Sequence, residues 1–287
     1  FISTLNVTDN VGVIGFGEGI STNDDLEVPC QAVGSHSGQV VPDLDRCFGN
    51  DRQLWTGTDC QDFDPDGEVK LVAAALYPVT NRSDREVEAR VRGMSVDERL
   101  SVRRAFVGDR GNRRHRPGRA LERPTYRFDI LSDYGAFRDM QRHRMLTLDW
   151  QRLSCDHGFV RPPEVDEAGV GGRFDAAMER SRDLHEALRG PFPEQAPYAV
   201  ALAYRVRYLM HMNAREAMHV LELRSTPQGH PSYRQIAQQM HRLIADVAGH
   251  HAVAEMMSYV DHTTEPELER LEAERRAEQK RLALGNT

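Results

Sequence analysis

Arg142-His143-Arg144 sets two guanidiniums around one imidazole, three groups able to aim donors at a phosphate or at an electron-rich ring. A basic triplet alone is more often a solvated face or an ion-pair partner. Far downstream, Asn213-Ala-Arg215-Glu-Ala-Met-His219-Val-Leu-Glu-Leu-Arg224 carries a second polar set. On a helix, Arg215, His219 and Glu222 fall at i, i+4 and i+7 and share one face. A third feature is the basic loop from Arg110 to Arg119, dense in arginine with Gly111, Pro117 and Gly118. It could meet phosphates or stay solvated. Nucleic acid is the less expected partner, because the loop lacks the interleaved aromatics of a single-strand platform and the net charge is −7.

The elements that must position these residues are mostly helical. Residues 1–67 are rich in Gly, Asp, Asn and Ser and read as an N-terminal extension. Their Val11-Gly-Val-Ile-Gly15-Phe-Gly17-Glu-Gly19 is GxGxG rather than GxGxxG, and no helical pattern follows it. Residues 68–262 read as one domain, and 263–287 as a charged C-terminal helix. Val69 to Tyr77 suggests a buried strand or an entry from strand to helix. Ser83/Glu86 and Ser95/Glu98 are capping boxes that predict two helices. Thr125 to Leu131 alternates as a strand. Helices are expected over 133–153, which places the basic triplet on a helix, and over 174–188, 197–224 and 231–260. The expected class is α+β: a helix-rich domain with a small, mostly antiparallel sheet packed against long helices.

The triplet in its context, Phe137-Arg-Asp-Met-Gln-Arg-His-Arg-Met-Leu-Thr147, resembles the RHRxxSxNExSxRY signature of flavin-dependent thymidylate synthases. Glu122 and Tyr126-Arg-Phe128 are similar to that family's upstream HxSxxEH…FxF segment, and residues 213–224 to its NARSLxNFLxLR helix. The resemblance spans about residues 68–260. It implies FAD held by Arg142, His143, Arg144, Glu122, Asn213, Arg215, His219 and His230, with His219 where the family usually has asparagine. It also implies reductive methylation of dUMP to dTMP with NADPH and methylenetetrahydrofolate as co-substrates, in a homotetramer or in a pair with a second similar domain. Nucleotide contacts would fall to Arg142, Arg152 and Arg224.

The chain departs from the family pattern on the pyrimidine side. Thr147, Asp149 and Trp150 replace serine, asparagine and glutamate. Arg152, Ser154 and Cys155 replace serine, arginine and tyrosine; Arg138-Asp139 replaces an Arg-Gln pair, and Pro197 stands where an arginine is expected. Each lost charge-assisted hydrogen bond to a dianion removes roughly 1.5–3 kcal/mol, where about 1.4 kcal/mol is tenfold in affinity. Arg152, two positions from the lost arginine, is expected to recover part of this. The alternative is a degenerate flavin-binding or structural partner that completes the site of a second domain. The chain begins at Phe1, as expected of a processed product or part of a longer protein.

Other chemistry is weakly signalled. Cys30, Cys47, Cys60 and Cys155 form no CxxC pair and read as reduced thiols of a cytoplasmic protein. Cys155 beside Asp156 and His157 is a poor nucleophile candidate, and no catalytic side chain is assigned. His241, His250, His251 and His262 lack an HExxH pattern, so no metal is expected. No apolar run is long enough for a membrane span.

Overall fold

The computed structural model describes residues 57–115 and 117–263, with short pieces at 32–34, 40–42, 274–275, 278–279 and 281. Phe1–Gln53 and Leu54–Thr287 form separate compact units. The described part of the first is an antiparallel pair, β1 (Ala32–Gly34) and β2 (Val40–Pro42). The glycine-rich stretch 11–19 and most of the charged C-terminal stretch lie outside the described residues, as do Cys30 and Cys47.

The second unit is built on a four-stranded antiparallel sheet of β3 (Thr58–Phe63), β4 (Thr125–Asp133), β5 (Thr147–Trp150) and β6 (Arg205–Asn213), in the order β3-β4-β6-β5. This is the α+β arrangement expected. Its edge strand β3 precedes the expected domain start at residue 68. Strand periodicity puts Val206, Tyr208, Met210 and Met212 of β6 into the core beside Tyr126, Phe128 and Ile130 of β4. Helices α7 (Ala214–Arg224) and α8 (Pro231–Asp246) cover that face. Helix α8 does so with Ile236, Ala237, Met240 and Ile244, a stripe of helical period. Each large side chain so buried stabilises the domain by roughly 1.5–3 kcal/mol.

Several expected elements differ in kind. Val69 to Tyr77 is helical: α1 (Gly67–Leu76). A short apolar run does not distinguish buried strand from buried helix, and three consecutive alanines tip it to helix. The Ser83 and Ser95 boxes form as expected and start α2 (Asp84–Arg92) and α3 (Val96–Val107). The expected helix 133–153 is α4 (Tyr134–Met140) followed by a loop and β5, where Thr147↔His211 to Trp150↔Tyr208 pairing takes over. The basic triplet therefore lies in a loop, not on a helix. A short helix, α5 (Pro163–Glu167), interrupts the Gly/Pro-rich loop ahead of α6 (Gly171–Arg189). The expected helix 197–224 is a 3-10 turn at Ala196–Ala199, then β6, then α7. The 231–260 helix breaks between α8 and α9 (His251–Met256), where Gly249 takes φ +69°. Among the described residues no helix is long and apolar enough to cross a membrane.

Candidate functional site

The register of the central strands assembles the site. Thr125↔Asn213 pairing sets the start of β4 beside the end of β6. Glu122, in the 3-10 turn Arg119–Glu122 just before β4, therefore meets Arg215 at the start of α7, with Nη1 donating to Oε1 at 2.8 Å. Arg119, and then Arg215, hold the Glu122 carboxyl below the usual carboxylate range. Asn213 caps α7 by accepting the Glu216 amide at 2.9 Å.

Helix α7 presents Arg215, His219 and Glu222 along one face, as the spacing predicts. Glu222 is buried and takes a bidentate pair from Arg110, at 2.5 and 2.6 Å. Arg110 also donates to the carbonyls of Arg113, His115 and Met256. This arginine anchors its loop and is spent on the protein, whereas Arg113, Arg114 and Arg119 of the same basic run face the cavity.

The opposite wall is the loop after α4. Phe137 seats α4 against Tyr208, ring centroids 4.7 Å apart, and so fixes where the chain emerges. His143 is buried, and Arg224 donates Nε–H to its Nε2 at 2.9 Å. The imidazole proton is then on Nδ1, which lies 3.8 Å from Glu216 Oε1. The His219 ring stands edge-on to His143 at 5.7 Å. His143, Glu216 and His219 offer ligand atoms within 4.8 Å of one another. With Nε2 accepting from Arg224 and Nδ1 carrying the proton, however, His143 presents no free lone pair, so the trio is not an open ligand set.

These walls enclose a cavity of about 840 Å³. Arg142, His143, Arg144, Glu122, Asn213, Arg215 and His219 all line it, so two loops and a helix far apart in sequence converge. Seven arginines face three glutamates across it, a positive excess suited to an anionic ligand. Arg215 Nε is buried with no hydrogen-bond partner among the described residues.

The remaining expected residues fall elsewhere. His230 caps α8, accepting from the Ser232 amide, and lines a second cavity of about 940 Å³ on the other side of Arg142. Arg224 sits behind the wall, its side chain 11% exposed. Arg152 lines neither cavity and contacts the Pro193 carbonyl and Glu194. Asp139, in the sequence only a departure from the family pattern, binds Arg142 and Arg224 with the same Oδ1. Sequence reasoning misses Glu216; its i, i+3 spacing to His219 is the available signal. Cys155 is buried and burial pushes its thiol up, against a nucleophilic role. Of the other histidines, His250 is buried against the Tyr126 hydroxyl at 2.8 Å, and His241 meets His262 at 3.0 Å.

A family model described as "Thymidylate synthase complementing protein", Thy1, matches residues 61–260. The chain belongs to the Thy1 family. It is 38% identical to a UPF0159 protein of Chlamydia pneumoniae over 75% of this chain and 40% of that one, and 36% identical to one of Chlamydia muridarum over 80% and 43%. A UPF0159 protein of Thermoplasma acidophilum is 33% identical over 71% and 41%. The chain thus spans about two fifths of the length of these curated relatives. The Thy1 fold is seen also in the crystal structure of a UMP/dUMP methylase, PolB, from Streptomyces cacaoi. That structure matches with a TM-score of 0.56 at 16% identity, over 71% of this chain and 97% of that one.

Proposed function

We propose that this Thy1 domain holds FAD in the arginine-lined cavity and serves the reductive methylation of dUMP to dTMP, with NADPH and methylenetetrahydrofolate as co-substrates. The observation that carries the reading is the convergence of seven residues, expected from the family to hold flavin, on one cavity with excess positive charge. Its volume of about 840 Å³ lies within the range of about 300–1,000 Å³ usual for cofactor sites. The donor set fits a diphosphate and a flat ring: exposed guanidiniums at the rim, two imidazoles within, and the unpartnered Arg215 Nε.

The flavin would supply the hydride relay, and the protein's part is to bind and orient. Glu122 fixes the Arg215 guanidinium by holding one terminal nitrogen, which leaves Nε available. Arg224 sets the His143 tautomer. Arg110 and Glu222 hold the basic loop over the cavity, so that Arg113 and Arg114 reach an anion already oriented. A second Thy1 domain, in a longer chain or in a homotetramer, would complete the rim.

A second reading has its own support: this domain holds flavin for another domain and does not itself turn over dUMP. Asp139 pairs with both arginines left on the nucleotide side and offsets part of their charge. Incubating the protein with FAD, NADPH, methylenetetrahydrofolate and dUMP separates the two. Retained flavin with dTMP formation supports the complete reaction; retained flavin without dTMP supports the partner role. Flavin that passes through unbound overturns both.

A further inference from the structure

Arg142 and Arg224 are the cations the nucleotide side would need for a phosphate, and both already pair with one carboxylate oxygen. Arg224 donates Nε–H to His143 at 2.9 Å, Nη1–H to Asp139 Oδ1 at 3.2 Å and Nη2–H to the Asp139 carbonyl at 2.7 Å. Its guanidinium also lies over the Tyr233 ring, 5.5 Å from the centroid. Arg142 pairs with the same Oδ1 of Asp139. Burial, and then the charge of Arg142, lower the Arg224 pKa, as expected of two cations close enough to repel. One carboxylate relieves that repulsion.

Asp139 and Arg142 belong to the wall of the 940 Å³ cavity, where Asp133, Glu164 and Glu274 add three further carboxylates. Asp133 is already engaged, accepting the Ala136 amide at 2.7 Å and the Ser232 hydroxyl. A phosphate dianion entering here must displace Asp139 from both arginines and then sit beside a freed negative charge. Phe174 and Leu202 in the same wall suit the face of a ring.

We propose that Asp139 is a built-in counter-anion that competes with phosphate for Arg142 and Arg224, and so sets how tightly the nucleotide side holds a phosphate ester such as dUMP. The proposal rests on reading the adjoining cavity as the flavin site. A merely structural ion pair predicts no change in ligand choice when it is removed. A counter-anion predicts a gain.

The test titrates the full chain, wild type, Asp139→Asn and Asp139→Gln, calorimetrically with dUMP and with deoxyuridine, while flavin absorbance is followed in parallel. In D139N dUMP should bind at least about tenfold tighter than in wild type, the factor worth one regained charge-assisted hydrogen bond to phosphate. Deoxyuridine should show no comparable gain. D139Q should behave alike and stands in if D139N does not fold. The proposal is overturned if dUMP binds no tighter in either variant, or if deoxyuridine gains as much. Loss of flavin binding throughout would instead strike the flavin-cavity reading and leave the Asp139 result to stand by itself.

Discussion

Replacing Glu222 by leucine strands the buried Arg110 guanidinium. Both terminal nitrogens lose short bonds of 2.5 and 2.6 Å to the carboxylate, and the Tyr259 amide loses its contact with Oε1. The two side chains are 4% and 2% exposed, so water cannot take over. Removing one member of such a buried pair costs about 3–5 kcal/mol. For a domain of this size that lowers Tm by roughly 6–20 °C, at about 2–4 °C per kcal/mol. The three carbonyls that Arg110 also holds place the effect toward the lower end. Differential scanning calorimetry reads the change. The double variant Arg110→Met/Glu222→Leu, which leaves no stranded charge, should recover more than half of the loss. Flavin affinity should fall in both, because the loop carrying Arg113 and Arg114 loses its anchor. A drop in Tm of under about 2 °C for the single variant, or a double variant no better than the single, would refute the argument.

Further outcomes follow from the same contacts. Arg215→Ala removes a donor set that is partly unsatisfied in the structure and should weaken FAD binding by about 10- to 100-fold in a fluorescence titration, since each charge-assisted bond is worth roughly 1.5–3 kcal/mol. Asn213→Ala deletes the α7 cap and should cost about 1 kcal/mol in urea unfolding. Burial holds the His250 pKa below its ordinary value, so the fold prefers the neutral ring. Stability from this residue is therefore present above the unfolded value, about pH 6.5, and is lost as pH falls below it. His250→Phe should flatten that part of the profile. Gly67→Ala should destabilise the fold, because its Cβ would stand 2.6 Å from His250 Cε1; a variant with wild-type Tm would contradict the packing described.

Local chemistry is the most legible part of the sequence. Ser83/Glu86 and Ser95/Glu98 bind each other across one helical turn, and both boxes form as read. Thr125 to Leu131 alternates, and a strand forms there. The helix of Arg215, His219 and Glu222 also forms, although it begins at Ala214 rather than at 197. Sequence reasoning fails where tertiary pairing decides. At Arg205–Asn213 the alternation of Val206, Tyr208, Met210 and Met212 is a strand signal that the expected helix over 197–224 passes over, and pairing with β4 and β5 realises it. Missing that strand also hides the true setting of the basic triplet, since β5 needs β6 as its partner. In the site, the gathering of Glu122, Arg142–Arg144 and Arg215 is foreseen through the family resemblance, whereas Asp139 looks like a mere loss. Nothing in sequence spacing says that its carboxylate reaches Arg224.

The central claim is that separated cationic and imidazole groups form one flavin site. The purified chain should be mixed with excess FAD, passed over a gel-filtration column and its visible spectrum recorded. A yellow protein peak with flavin absorbance near one per chain is the predicted result. A colourless peak, with all the flavin in the small-molecule fraction, would contradict it.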